Sequence, residues 1–528
     1  MDKKTIVALL LILVVYWISA QFLWKPKQQN NIQETEQIEI ENPVSEIVDA
    51  NDIPPIEFQA KSSSDIKIND SIVLENDFLS IHFSNLGGVV KSIQLKKFFL
   101  NDKTQLVEVI PESAQLLNIK LIDHSESIIN LQNTVFDFSI TENTLYFFTK
   151  IDEQTIEKKF ILGAKYDVEL DLRIDQFENM KGYELAFDSG IADSEKYLKM
   201  KTTDYQAVYQ VANEQKETKL SKLKEELKLA GKVDWAAIKS KYFTMAIIPN
   251  NLINTRKLNI FKNNESPAAN IFITHDKTFL NHHFDLYFGP LDYDNLVAYK
   301  IGLENVVELG WGPLQWIGKL FKMFLNMLSG FISNWGVVII IFAIILKMVL
   351  YPLTHKSFES TTKMQKIQPL IKEVQAKYKS DPQKMNVEMR LLYKEHGVNP
   401  LGGCLPMLLQ MPIIFALYPI LRYSISLRQA KFLWLPDLSE PDPIWALPIL
   451  MSVFMFVQQK LMAPSKNTLD NMDEKAKATQ QSQKMMMYLM PVMMFFIFKG
   501  LASGLVLYWT VFSIIGSVQQ YYIKKKFI

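Results

Sequence analysis

One lysine of this chain stands where its neighbours offer it nothing polar. Lys347 lies within residues 337–353, a run in which nearly every neighbouring side chain is apolar. A charge near the centre of a bilayer costs about 2.5 to 3.5 kcal/mol on insertion scales, so something must compensate for it. His355 follows eight residues later, which places Lys347 roughly 12 Å along a helix from it, in the inner half of a bilayer. Two readings follow. Either the ammonium snorkels to the cytoplasmic headgroups, or it faces a water-filled cavity and attracts polar or acidic groups. Pro406, Pro412, Pro419, Pro448 and Pro491, all in later apolar runs, favour the cavity, because each frees backbone carbonyls that lipid cannot satisfy. Gln410, Ser503, Thr510, Ser513 and Gln519 are polar groups able to line such a groove.

Other chemistry has little support. His282 and His283 are adjacent, and neighbours on a strand point to opposite faces, so the pair reads as ordinary strand histidines rather than a metal grip. Cys404 is the only cysteine, which leaves no intrachain disulfide. No glycine-rich phosphate loop, paired-cysteine motif or nucleophile arrangement is visible. No catalytic residue, metal or cofactor is expected, and the chain does not read as an enzyme. A net charge of +1 argues against DNA as a partner.

The elements that must position Lys347 are membrane spans. Residues 5–24 are almost uninterrupted apolar sequence after Lys3 and Lys4, about the length that crosses a bilayer, and residues 1–24 read as an uncleaved anchor. Further apolar runs lie near 335–353, 404–423, 444–462, 485–498 and 505–522, so six spans are expected. Lysines and arginines crowd the segments after the second and fourth spans and the tail at 524–528, which puts those segments and both termini in the cytoplasm. Arg422, Arg428 and Lys431 then fall outside, against the trend.

Between the first two spans, residues 25–56 are polar and poor in aromatics, as expected of a linker. From 57 to 310 the apolar period is two, as in Tyr166, Val168, Leu170, Leu172 and Ile174 against Asp167, Glu169, Asp171 and Arg173. Many such strands predict a large antiparallel sandwich. Residues 218–232 break the pattern and suggest a solvated helix or lid. Residues 311–330 place Leu314, Ile317, Leu320, Phe321, Phe324 and Leu328 on one helical face, the pattern of a helix lying in the outer interface. The second span covers 331–353, residues 354–402 form a cytoplasmic helical hairpin broken at Asp381-Pro382, and 403–523 hold four further spans. Met407, Met411, Ile414, Met490 and Met494 are candidates for an apolar path, since flexible thioethers suit varied partners.

The motifs Leu350-Tyr351-Pro352-Leu353, Asn399-Pro400-Leu401-Gly402-Gly403-Cys404-Leu405-Pro406, Gln410-Met411-Pro412 and Ser503-Gly504-Leu505-Val506-Leu507-Tyr508, with Leu286-Tyr287-Phe288-Gly289-Pro290 in the external region, resemble the YidC insertase family. The resemblance implies a multi-pass α-helical inner-membrane protein whose five-helix core surrounds a hydrophilic groove, with a large all-β supersandwich domain in the periplasm. It implies that Lys347 stands where the family carries a groove arginine, keeping the charge but not the planar fork, and that Tyr508 and Trp509 match aromatic positions of the last span. The implied function is insertion and folding assistance for integral membrane proteins, alone or with the Sec translocon. Partners would be nascent membrane proteins, the translocon, the ribosome and the lipid bilayer, although the tail after Tyr522 is very short. A transporter with a midplane ionisable site, or a membrane-anchored periplasmic binding or folding factor, are the alternatives.

Overall fold

The structure is a computed structural model that describes residues 67–151, 153–175, 180–250, 255–263, 265–274, 280–310, 312–399, 405–462, 485 and 488–527. The expected anchor at 1–24, the expected linker at 25–56, the Gly402-Gly403-Cys404 part of the motif and the segment 463–484 lie outside the described residues.

The described residues between Ile72 and Pro290 are mostly strands, which pair antiparallel into sheets of four, nine and six. Period-two patterning explains how they stack. In strand Gln154–Leu162 every second residue is turned inward, and in Asp167–Ile174 the valine, leucines and isoleucine are buried while Glu169 and Arg173 are exposed. The inward rings meet edge to face or tilted, as where the centroids of Phe83 and Phe160 lie 4.9 Å apart, the arrangement that aromatic quadrupoles favour.

The same alternation carries Lys158 inward between Ile156 and Phe160, where it is fully buried. Its Nζ donates to the carbonyls of Gly87 (2.9 Å), Gly88 (2.8 Å) and Leu117 (2.9 Å) and lies 5.4 Å from the ring centroid of Phe136. Gly87 and Gly88, at φ +80° and +55°, turn the chain in left-handed backbone that glycine adopts without strain, and this aims both carbonyls at the ammonium. His282 and His283 do face opposite ways. His282 Nδ1 meets the Tyr183 hydroxyl at 2.5 Å, while His283 Nδ1 bonds Asp171 at 2.7 Å.

The expected helix or lid at 218–232 is not there. Strand Glu214–Lys219, a single tight turn at Leu220–Lys222 and strand Leu227–Ala230 occupy it. Leu220 and Leu223 are buried, but Leu227 and Leu229 alternate with Lys228 and Ala230 against strand Thr255–Asn263. Leucines two and four residues apart satisfy either period, and sheet pairing decides between them.

Among the described residues, eight helices of ten residues or more follow the sheets: α1 (Gln315–Ser329), α2 (Trp335–Lys366), α3 (Gln368–Lys377), α4 (Pro382–Glu395), α5 (Leu405–Arg422), α6 (Ala446–Met462), α7 (Tyr488–Phe498) and α8 (Ser503–Phe527). The buried stripe of α1 is Gly318, Phe321 and Leu325, while Leu320 is exposed together with Trp316, Met323 and Met327. The expected face otherwise turns inward: Leu314 is buried, Ile317, Phe324 and Leu328 pack partly buried on the helical core, and bare Gly318 lies close to the Leu309 carbonyl. Asn334 caps α2, its side chain accepting from the amides of Gly336 and Val337, and Asp381 caps α4 by accepting from Lys384 N at 3.0 Å. Neither α3 nor α4 contains a buried residue. Among the described residues α2 is the one helix both long and apolar enough to cross a membrane, and α6 and α7 are shorter apolar helices.

Candidate functional site

Helix α8 packs along both α2 and α6, and its composition explains how. Ser503, Thr510, Ser513, Ser517, Gln519 and Gln520 are all buried in it, so its polar groups turn toward protein. Thr510 Oγ1 donates to Val506 O at 2.7 Å and to Leu447 O at 3.3 Å, and Ser517 Oγ donates to Phe454 O of α6 at 2.9 Å. Gln519 Nε2 donates to Thr354 Oγ1 of α2 at 3.1 Å. Such hydroxyls and amides join helices where burial of apolar surface gives little driving force.

Lys347 enters this packing from α2 and is only 4% exposed. Its Nζ stands 3.9 Å from the ring centroid of Phe512, a cation–π contact. Gly516, one turn further along α8, leaves the necessary space. A Cβ there would lie 3.3 Å from Lys347 Nζ and 3.3 Å from Gln458 Nε2. Among the described residues no carboxylate pairs with this ammonium and no hydrogen bond ends on it. The site is a buried ammonium against an aromatic face, with the space over Gly516 shared by Lys347 Nζ and the Gln458 amide.

The other expected groove residues scatter around it. Tyr508 is 1% exposed, with its ring 6.3 Å from Phe342 and 5.9 Å from Phe512, so it continues the aromatic wall beside Lys347. The Tyr508 hydroxyl faces the Gln410 side chain, and neither Tyr508 Oη nor Gln410 Nε2 has another partner among the described residues. Trp509 turns aside to Phe498, at 5.4 Å between centroids. Thr510 and Ser513 are buried, but the hydroxyl of Thr510 is engaged with backbone. Of the apolar-path residues, Met411 is exposed, Ile414 is half-buried, Met490 accepts from Gln459 Nε2 at 3.4 Å, and Met494 packs on the helical core. The side chain of Met407 lies outside the described residues. Phe512, Gly516 and Gln458 were not singled out by the sequence. A search for small or aromatic residues on the inward face of the last span would have found the first two.

Residues 71–323 match the family described as YidC periplasmic domain, and residues 327–528 match the 60Kd inner membrane protein family. The membrane protein insertase YidC of Pelodictyon phaeoclathratiforme is 31% identical over 99% of this chain and 95% of its own length. That of Prosthecochloris aestuarii is likewise 31% identical, over 99% and 95%. A solved structure of an active YidC insertase with its first transmembrane domain resolved is similar at 18% identity and a TM-score of 0.36, over 87% of this chain and 93% of that one. At such identity over nearly full length, the chain belongs to the YidC family of membrane protein insertases, inner-membrane proteins with a periplasmic domain that act on other membrane proteins and are not enzymes.

Proposed function

We propose that Lys347 is the charged centre of a hydrophilic insertion path, which receives the polar or acidic segment that a client must carry into the membrane. In this reading the chain spans the membrane six times, counting residues 1–24, with five helices around the path and both termini in the cytoplasm. Residues 354–402 form the cytoplasmic hairpin. Gln410, Tyr508, Thr510 and Ser513 line the path with Trp509 at its edge, and Met407, Met411, Ile414, Met490 and Met494 lead the client's apolar helix toward lipid. Clients arrive directly or from the Sec translocon.

One observation carries this reading. Ser452 Oγ, Gln459 Oε1 and Gln520 Oε1 are buried in the helical region without a hydrogen-bond partner among the described residues, and they accompany a buried ammonium that has no counter-ion among them. Buried polar atoms are satisfied in the great majority of cases. A helical region that leaves several unsatisfied is suited to water or to a polar client segment. The client's own apolar helix and the transmembrane potential, worth about 2.3 kcal/mol per charge per 100 mV, supply the driving force without a nucleotide.

The test is reconstitution into liposomes, with insertion of an acidic-tailed single-span protein read by protease protection. Lys347→Arg is expected to insert it at nearly the wild-type rate and Lys347→Glu about tenfold more slowly, equivalent to ~1.4 kcal/mol of barrier. Equal rates for the two variants would remove Lys347 from the mechanism.

A further inference from the structure

Three helices meet at one glycine. Gly516 of α8 is bare, and a Cβ there would lie 3.3 Å from Lys347 Nζ of α2 and 3.3 Å from Gln458 Nε2 of α6. Two nitrogen donors from different helices therefore border one small space whose floor is backbone. Phe512, one turn earlier on the same face of α8, stands on another side of the ammonium, with its ring centroid 3.9 Å from Nζ. Among the described residues no carboxylate pairs with Lys347, and the Gln458 amide makes no hydrogen bond. The space is secluded, Lys347 being 4% exposed, and a hydrogen bond made there is electrostatically stronger than one in water.

Hydrogen bonds hold both donors to that floor. Thr510, Ser517 and Lys524 of α8 donate to the carbonyls of Leu447 (3.3 Å), Phe454 (2.9 Å) and Leu461 (3.0 Å) of α6. Donors and acceptors both advance by seven residues, about two helical turns, so α6 and α8 run parallel in one register. Gln458 lies one turn beyond Phe454, and Gly516 directly precedes Ser517, so the middle bond of the ladder sets the amide beside the glycine. On the other side Gln519 Nε2 donates to Thr354 Oγ1 at 3.1 Å, two turns along α2 from Lys347. Each arm of the space is thus pinned to α8 within a turn of Gly516 or two turns of the donor it carries.

We infer that Gln458 is a specificity-determining residue for insertion: with Lys347 it forms a two-donor seat over Gly516 that takes a carboxylate of the client's entering segment, one oxygen on each nitrogen. The inference rests on the reading of Lys347 as the charge that receives the client, and adds a second group to it. An ammonium alone is a point charge with rotating donors, and it leaves a carboxylate free to turn. Two N–H sources fixed on separate helices hold both oxygens, as the planar fork of an arginine does within one side chain. A neutral amide supplies the second contact without a second buried charge, whose cost in the bilayer would repeat that of Lys347.

The test measures insertion into liposomes by the full-length protein, using two single-span clients that differ only in one tail residue, aspartate or asparagine. Gln458→Leu is expected to slow the aspartate client about fivefold, the scale of one hydrogen bond, and to leave the asparagine client nearly unchanged. Gln458→Glu should slow the aspartate client further, because its carboxylate fills the seat and pairs with Lys347 from within. Adding Lys347→Arg to Gln458→Leu should restore most of the lost rate, since a guanidinium carries both donors itself. Equal slowing of the two clients by Gln458→Leu would overturn the seat and make Gln458 a packing residue. So would an unchanged aspartate rate, or a double variant that stays as slow as the single one. Lys347→Glu in the same assay separates the failures. If it is slow where Gln458→Leu is not, the seat falls and the charged path stands; if it inserts as fast as Lys347→Arg, both fall.

Discussion

Two buried lysines, Lys158 in the β region and Lys347 in the helical region, are treated in opposite ways. Lys158 in the β region has three carbonyl acceptors at hydrogen-bonding distance, one for each proton of its ammonium. Lys347 in the helical region has the face of Phe512 and no acceptor among the described residues. The first environment is complete and the second is not. A saturated cation belongs to the architecture, joining the Gly87-Gly88 turn and Leu117 to the strand that carries it, whereas an unsaturated one is available to something that arrives from outside.

The contrast breaks most easily at the two lysines themselves. Lys158→Met leaves three buried carbonyls without their donor and is expected to lower β-region stability by about 3 kcal/mol or more, read as the denaturant midpoint of the purified protein. Lys347→Met removes a buried charge that lacks a partner and should change stability by less than about 1 kcal/mol in either direction, while slowing insertion of an acidic-tailed client. If both variants unfold alike, the distinction between the two sites is lost. A smaller effect sharpens it. Gly516→Ala brings a methyl group against Lys347 Nζ and Gln458 Nε2, an overpacking on the order of 1 kcal/mol, and insertion should slow severalfold with the helices still folded.

The smallest effect concerns pH. Hydrogen bonds to Asp171 and then Asp285 raise His283 from 6.5 to about 10. Its contribution to stability is full below pH 6.5 and disappears as pH rises through about 10, because over that interval the folded state keeps a proton that the unfolded chain has released. Lys158 has the opposite sign. Burial pushes it from 10.5 down to about 7, so its penalty fades as pH rises between those values. The two slopes oppose each other, and His283→Gln should leave a β region whose midpoint climbs from pH 7 to 10. A midpoint that falls over that range in the variant would show that His283 is not the group responsible.

Much of this was legible before any coordinates, and the exceptions share a cause. Strand Asp167–Ile174 could be read because its alternation is strict, and Lys347 because a charge in an apolar run has no local explanation. Segment 218–232 misled because its leucines fit two periods, and sheet pairing with residues 255–263 decided the matter from a distance. The face of α1 departs from its reading only at Leu320, which is exposed while Gly318 and Leu325 are buried. Phe512 and Gly516 are unremarkable in their own helix and acquire meaning only from a lysine more than 160 positions earlier. Arg422 and Arg428 had registered as exceptions to the charge rule for membrane orientation. Their partners, Asp204 and Glu195, lie over 200 positions away and neutralise them on the periplasmic side.

Pro352 lies inside α2, five residues beyond Lys347. A proline within a helix removes the amide that would bond four residues back and so lowers bending stiffness at that level. The stretch above it is moored at Gly336 by Phe432, and the stretch below runs on to the unburied α3 and α4. Pro352 thus acts as a mechanical filter. The lower rod can bend at that level while the upper one stays moored, so Lys347 keeps its place against Phe512 during the motion. A Pro352→Ala rod should transmit that swing upward, broadening spin-label distances measured between α2 near Lys347 and α8, and an unchanged distribution would show that the filter is not needed.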